Sequence, residues 1–300
     1  MDWCSSAAST GNMTGTDGFD VAYAAFTDSD NEGKLIISVG RTESWVKYCE
    51  VVYDLQGLGM DIWVIDHRGQ GLSERLLSDG DKGYVRDFSD YVDDLETFIE
   101  DIVGASEDED VFVLGHSLGG MIATQLAATH EDLIDGLILS APMFGLNTSP
   151  YPESVSYWLA WAADWWGYGA SYALGRGPYT DFSFADNGVT SSEGRYTAHR
   201  DQRITWPALQ LGGPTWSFLY ESMDATQSIV SVGSGFDIPT LLLQAGSDDI
   251  VTPARQTGFC AAATDCTLVD VDGGEHELLQ EADSIRGDVL SQISDFIGSH

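Results

Sequence analysis

The sequence predicts an α/β fold: a mostly parallel central sheet with helices on both faces and one inserted cap. Three observations predict it. First, the runs "KLIISVG" (34–40), "DIWVID" (61–66), "VFVLG" (111–115), "GLILSAP" (136–142) and "TLLLQA" (240–245) are largely aliphatic, which is how a strand reads when both of its faces are buried. Second, segments with helical spacing separate these runs, and strands that alternate with helices need crossover connections and so lie parallel. Third, residues 143–235 break this rhythm and are rich in Trp, Tyr, Gly and Ser.

The elements follow in order. Residues 1–17 read as a flexible polar leader. In "GFDVAYAAF" (18–26), Phe19, Val21, Tyr23 and Ala25 alternate, so this is a half-buried strand that opens the sheet like a hairpin. After the 34–40 strand, residues 44–59 place Trp45, Tyr48, Cys49, Val52 and Leu55 at helical spacing and stop at glycine. The 61–66 strand comes next, then an amphipathic helix over 88–103. The 111–115 strand runs through Ser117 into another helix. Strands follow at 136–142, 240–245 and 267–273, the last two each succeeded by a helix. Residues 18–142 and 236–300 thus form the core and 143–235 the cap. Within the cap, "SYWLAWAADWWGYGASY" sets Trp158, Trp161 and Trp165 at helical steps. They read either as an ordinary packing face or as an apolar roof that binds a ligand.

Composition narrows the function. Hydrophobic residues are 43% of the 300 residues, enough for a sizeable core and against disorder. The formal net charge is −35, from 48 acids against 13 bases. Such a surface repels nucleic acid and anionic bilayers at low salt, so a nucleic-acid partner is excluded. The same imbalance is expected of a chain adapted to high salt, where mobile cations screen the repulsion. Four cysteines stand at 4, 49, 260 and 266 without paired metal spacing. Cys49 reads as a small buried apolar residue, and Cys260 with Cys266 as a short loop that an oxidising compartment could close. No run is long and apolar enough to span a bilayer, and no signal peptide is legible. The compartment stays open between cytoplasmic and exported.

The chemistry starts at "VFVLGHSLGGMIATQLA" (111–127). A buried strand ends in Gly115-His116-Ser117-Leu118-Gly119 and turns at once into a helix. This context is what a nucleophile elbow needs. The turn is too sharp for bulky neighbours, and the new helix presents N–H groups to a developing negative charge. A serine hydroxyl needs a base. Among six histidines, His276 in "DVDGGEHELLQE" lies on a loop that follows a strand. An acid must orient that base, and Asp248 and Asp249 both sit just past the 240–245 strand. One oxyanion donor is expected from Leu118 N–H. The other is expected from Arg41, after Gly40 at the end of the 34–40 strand.

With these residues in place the chain resembles the α/β-hydrolase superfamily, and within it the bacterial lysophospholipase and monoacylglycerol lipase branch. The resemblance spans roughly residues 18–298. It rests on "GRTESWVKYCEVVYDLQGLGMDIWVIDHRGQGLSER" (40–75), "DKGYVRDFSDYVDDLETFI" (81–99), "VFVLGHSLGGMIA" (111–123), "LQLGGPTWSFLYES" (209–222), "LLLQAGSDDIV" (241–251) and "GGEHELL" (273–279). It implies a serine esterase acting on a lysophospholipid or monoacylglycerol, with no cofactor and no metal, and only transient contact with lipid surfaces. It selects Asp248 over Asp249 and gives "DHRG" (66–69) a structural part. This chain departs from many relatives in having Val39-Gly40 where they carry His-Gly. Other chemistries of the superfamily stay open, namely general carboxylesterase, carbon–carbon hydrolase and perhydrolase. Ser117 in place of an aspartate argues against dehalogenases and epoxide hydrolases. A hydrolase-like binding protein would be expected to lack a member of the triad.

Overall fold

The computed structural model describes residues 2–106 and 108–300. Eight strands are β1 (Ser9–Thr14), β2 (Asp20–Phe26), β3 (Gly33–Ser38), β4 (Met60–Ile65), β5 (Val111–His116), β6 (Gly136–Ser140), β7 (Thr240–Ala245) and β8 (Cys266–Val271). They form one sheet in the order β1-β2-β4-β3-β5-β6-β7-β8. From β4 to β8 every neighbour is parallel, while β1–β2 and β2–β4 are antiparallel. The aliphatic runs fill its middle: Leu35, Ile37, Leu114, Ile138 and Leu243 face one core layer, and Ile36, Val113, Leu137, Leu139 and Leu242 face the other. Both layers are buried because helices cover both faces.

The core helices are α1 (Asp2–Ala7), α2 (Cys49–Leu55), α3 (Ser89–Thr97) and α4 (Leu118–Thr129). Between β6 and β7 the chain builds α5 (Glu153–Ala163), α6 (Glu193–Thr205), α7 (Trp216–Ala225) and α8 (Ile229–Gly233). Then come α9 (Pro253–Ala262) and α10 (Asp283–Ile297). The inserted segment is rooted in the core, since Phe218 of α7 and Ile229 of α8 belong to one of the two core layers. No helix among the described residues is long and apolar enough to cross a membrane.

Residues 1–17 do not behave as a flexible leader. Met1 lies outside the described residues, but α1 and β1 are ordered elements, and β1 pairs with β2 in register from Ser9 opposite Ala25 to Thr14 opposite Asp20. Hydropathy could not show this strand. "STGNMT" buries only Met13, and the rest of its pairing is backbone hydrogen bonding at a sheet edge. Cys49 is likewise not a lone apolar residue: it is bonded to Cys4, tying α1 to the start of α2. Cys260 and Cys266 are also bridged, across the turn between α9 and β8.

Two expected helices are less regular than their spacing suggests. Over 44–59 a 3-10 turn (Trp45–Tyr48) precedes α2 and another (Gln56–Leu58) follows it. Beyond α3, Phe98–Val103 winds as a π-helix. Asp90 and Asp94 of α3 are buried because Arg68 is buried against them: Arg68 Nε donates to Asp94 Oδ2 at 2.6 Å, and its Nη1 lies 3.2 Å from Asp90. The "DHRG" loop is therefore a bracket, with Asp66 accepting from Trp45 N–H and Ser44 Oγ–H.

Candidate active site

Ser117 stands between β5 and α4 with φ 49° and ψ −114°. A non-glycine residue in this region carries strain of about 1–3 kcal/mol. The surroundings hold it there: Ser117 N–H donates to Ser140 O at 3.1 Å, and Ser117 O accepts from Met143 N–H at 2.9 Å. The flanking glycines are required by space. A Cβ on Gly119 would lie 2.0 Å from Ser38 O, and one on Gly115 would lie 2.6 Å from Gly120 Cα.

The tertiary fold brings three distant residues together. Ser117 Oγ lies 2.9 Å from His276 Nε2, and His276 Nδ1 lies 2.7 Å from Asp248 Oδ2. The carboxylate can only accept, so Nδ1 carries the proton and Nε2 is free to accept from the serine. Asp248 Oδ1 accepts N–H from Ile250 at 2.7 Å and Val251 at 3.0 Å. Burial opposes its ionisation, but the His276 ring and these two amides outweigh burial and hold the carboxyl below its ordinary value. Asp249 is exposed, and its carbonyl only caps Asn147. Of the two aspartates that the residue pattern leaves open, Asp248 is the one whose carboxylate meets the His276 ring.

The loop after β3 supplies a free amide. Gly40 N–H is taken by Glu43 Oε2 at 2.6 Å and Thr42 N–H by Gln70 Oε1 at 3.3 Å. Among the described residues no acceptor meets Arg41 N–H, which leaves it as that loop's spare donor. Leu118 N–H opens α4, and first-turn amides have no partner within their helix. Gln70 Nε2 donates to Gly40 O at 2.7 Å and steadies the loop.

Behind the triad lies a buried ionic cluster that residue patterns did not single out. Glu43 Oε2 accepts from Gly40 N–H, from Tyr48 Oη–H at 2.7 Å and from His116 Nδ1–H at 3.1 Å. Lys47 Nζ lies 2.6 Å from Glu43 Oε1 and 2.6 Å from Glu277 Oε1. His116 Nε2 is 3.2 Å from His276 O. Both partners of the His116 ring are acceptors, so it satisfies them only as imidazolium. Burial would lower its pKa, yet the Glu43 charge and hydrogen bond raise it above the ordinary value. Burial likewise works against Glu43, and Lys47 with His116 hold it well below the carboxylate range. The sequence does contain a signal: Glu43 and Lys47 stand four apart, and Glu277 adjoins His276.

The tryptophans of α5 and of the π-helical turn after it (Asp164–Tyr168) are not a closed roof. Trp158, Trp161 and Trp165 are 60%, 39% and 74% exposed. They form a ladder, Trp158 edge-on to Trp161 at 5.5 Å and Trp161 stacked on Trp165 at 6.1 Å. None makes a hydrogen bond or ring contact with Ser117, Asp248 or His276. No group of three or more His, Cys, Asp or Glu among the described residues is arranged to hold a metal ion.

The Hydrolase_4 family, described as serine aminopeptidase S33, matches residues 29–283. The chain belongs to this family. It is an α/β-hydrolase and a serine hydrolase. Among curated proteins it is 36% identical over 297 residues to lysophospholipase L2 of Escherichia coli, covering 96% of this chain and 87% of that protein. It is 27% identical over 265 residues to monoglyceride lipase of Mus musculus, covering 88% and 81%. Among solved structures, a soluble variant of monoglyceride lipase from Saccharomyces cerevisiae shares the fold with a TM-score of 0.78 at 20% identity, covering 98% of this chain and 95% of that one. A carboxyl esterase from Bacillus coagulans does so with a TM-score of 0.77 at 18% identity, covering 98% of each.

Proposed function

We propose that this serine hydrolase cleaves the carboxylic ester of a single-chain glycerolipid, a lysophospholipid or a monoacylglycerol. The observation that carries the reading is the relay from Ser117 Oγ through His276 to Asp248, at 2.9 and 2.7 Å. The chain's 36% identity to a protein named lysophospholipase L2 supports the substrate class.

In this reading Ser117 Oγ attacks the acyl carbonyl while His276 Nε2 takes its proton. The imidazolium that forms is stabilised by Asp248 and returns the proton to the leaving glycerol oxygen. Leu118 and Arg41 N–H groups receive the oxyanion, each such donor contributing on the order of a hundredfold or more in rate. Water, deprotonated by His276, then releases the fatty acid from the acyl-enzyme. The Trp158, Trp161 and Trp165 ladder offers an apolar track for the acyl chain, where each buried CH₂ contributes about 0.8 kcal/mol. The segment 143–235 acts as the cap that carries this track and meets lipid surfaces transiently. The acidic composition supports adaptation to high salt.

The test is turnover of palmitoyl lysophosphatidylethanolamine and monopalmitoylglycerol, beside labelling by a fluorophosphonate probe. Turnover of at least one substrate is expected, with the label on Ser117 and lost in Ser117→Ala. A folded protein that hydrolyses neither lipid, or is labelled elsewhere, would overturn the reading.

A further inference from the structure

The basic residues of this acidic chain are not distributed evenly with respect to its carboxylates. Of the 13 Lys and Arg, nine form an ion pair with an Asp or Glu. Arg41, Arg75, Arg176 and Arg203 form none among the described residues. With 48 acids available, an unpaired cation is the exception here.

All four exceptions border one stretch of the insertion, residues 208–213, Arg41 and Arg75 through their guanidinium groups and Arg176 and Arg203 through Cβ and backbone contacts. Arg41 Nη2 donates to Gly212 O at 2.5 Å. Arg75 Nη2 donates to Ala208 O at 2.5 Å and Gln210 O at 3.3 Å. Arg176 packs on Gly213, where a Cβ would lie 2.6 Å from its own. Arg203 of α6 is fastened to the same stretch by its carbonyl, which accepts from Gln210 Nε2 at 2.9 Å. The carbonyls that Arg41 and Arg75 bond neutralise no charge. Two of the guanidinium groups are also incompletely bonded, because Nε of Arg41 and Nε of Arg203 are buried without a hydrogen-bond partner. A buried donor left without an acceptor costs about 1–3 kcal/mol, so each of these two atoms suits an acceptor that arrives with a ligand.

The patch adjoins the chemistry. Arg41 is the residue whose N–H stands free beside Gly40, and its guanidinium lies over the Phe218 ring at 5.2 Å. Its charge is poorly compensated: burial, with a smaller part from Arg176, lowers its pKa to about 10. Asp66 and Asp81 act on Arg75 only at longer range. In a lysophospholipid the phosphate is separated from the scissile ester by the glycerol unit alone, a span comparable to an extended arginine side chain. Guanidinium is also the group best matched to phosphate oxygens.

We propose that Arg41, Arg75, Arg176 and Arg203 frame a subsite for the phosphate of a lysophospholipid head group. The inference rests on the ester-hydrolase reading above and deepens it: the phosphorylated lipid is the preferred substrate over the neutral glyceride. The same chemistry would also receive free phosphate, and the experiment separates the two.

Arg176→Gln, Arg203→Gln and the double variant are compared with the intact chain on lysophosphatidylethanolamine and monoacylglycerol of equal acyl length. Arg41 and Arg75 are left in place because they hold the loop. In the double variant KM for the phospholipid is expected to rise about tenfold or more, the weight of one charge-assisted hydrogen bond. kcat, and KM for the neutral ester, should stay within about twofold, and the lysine versions should restore part of the loss. Turnover of the neutral ester also reports that the variants fold. Glycerophosphate binding to Ser117→Ala, read by calorimetry, tests the subsite without turnover and should vanish when both arginines are replaced. Equal loss on both esters, or no change on either, would overturn the proposal. So would inorganic phosphate binding as tightly as glycerophosphate while KM for the lysophospholipid stays put. If the intact chain cleaved neither lipid yet bound glycerophosphate through these arginines, the ester-hydrolase reading alone would fall.

Discussion

Glu43 Oε2 lies 3.1 Å from His116 Nδ1, in the wall directly behind the nucleophile. This pair joins three loops that must keep their relative positions during a reaction. Glu43 holds Gly40 of the loop after β3, His116 precedes Ser117, and the His116 ring also bonds the carbonyl of His276. Lys47 and Glu277 complete the cluster, so two buried cations face one buried and one half-buried anion.

Removing one anion should therefore hurt more than deleting a surface ion pair. Glu43→Gln leaves Lys47 and His116 undercompensated, and breaking a buried pair costs roughly 3–5 kcal/mol. We expect a clear fall in melting temperature and a loss of kcat of about tenfold or more, with KM less affected. The stability loss should depend on pH. Glu43 is depressed in the folded chain, so its contribution is present above the unfolded carboxylate range and is lost as pH falls through the lower folded value. His116 is raised, so its contribution is full below the unfolded histidine value of about 6.5 and is lost as pH rises through the higher folded one. The gap between the native chain and the variant should narrow at both ends of a pH series of melting curves. A gap independent of pH would refute the ionic account.

The adjacent aspartates should separate sharply. Asp248→Asn removes the acceptor that fixes the His276 tautomer and should lower kcat by about 10³–10⁴. Asp249 is exposed and makes only a backbone contact, so Asp249→Asn should stay within about threefold. Steady-state kinetics on any hydrolysed ester reads both, and comparable losses would reject the assignment.

The two disulfides should contribute unequally. Cys4 and Cys49 are 45 residues apart, and Cys260 and Cys266 only 6. Loop-closure entropy then gives about 4 kcal/mol for the first and about 2 kcal/mol for the second. Denaturant unfolding of Cys4→Ser and Cys266→Ser should show that order. Activity of folded Cys4→Ser should persist, since α1 lies outside the triad.

Salt should stabilise the chain. At −35 the surface repels itself, and the Debye length falls from about 10 Å at 0.1 M to about 3 Å at 1 M. The melting temperature is expected to rise between low and molar potassium chloride. A flat or falling curve would remove the case for salt adaptation.

Much of the site could be read from the chain because its signals are local. The elbow needs glycines within two residues of Ser117, and the structure shows why, with no room for a Cβ at Gly115 or Gly119. Asp248 and His276 each sit on a loop just after a strand, where a parallel sheet gathers its functional groups. The tryptophans at 158, 161 and 165 mark the limit of such reading. Helical spacing groups Trp158, Trp161 and Trp165 on one side, but spacing cannot say whether that side is covered, and it is largely open to solvent.

Hydrophobic periodicity and turn chemistry, which act over a few residues, were enough by themselves to determine the parallel sheet and the glycine-flanked turn at Ser117 between strand and helix. The tertiary structure alone decided that "STGNMT" is a strand, that Cys4 pairs with Cys49, and that Glu43 neutralises His116. Each of these depends on a partner supplied from elsewhere in the chain: a strand edge offering free backbone groups, a second thiol, or a countercharge in the buried interior. No local pattern encodes such a partner, because its energy exists only once the two segments are packed together.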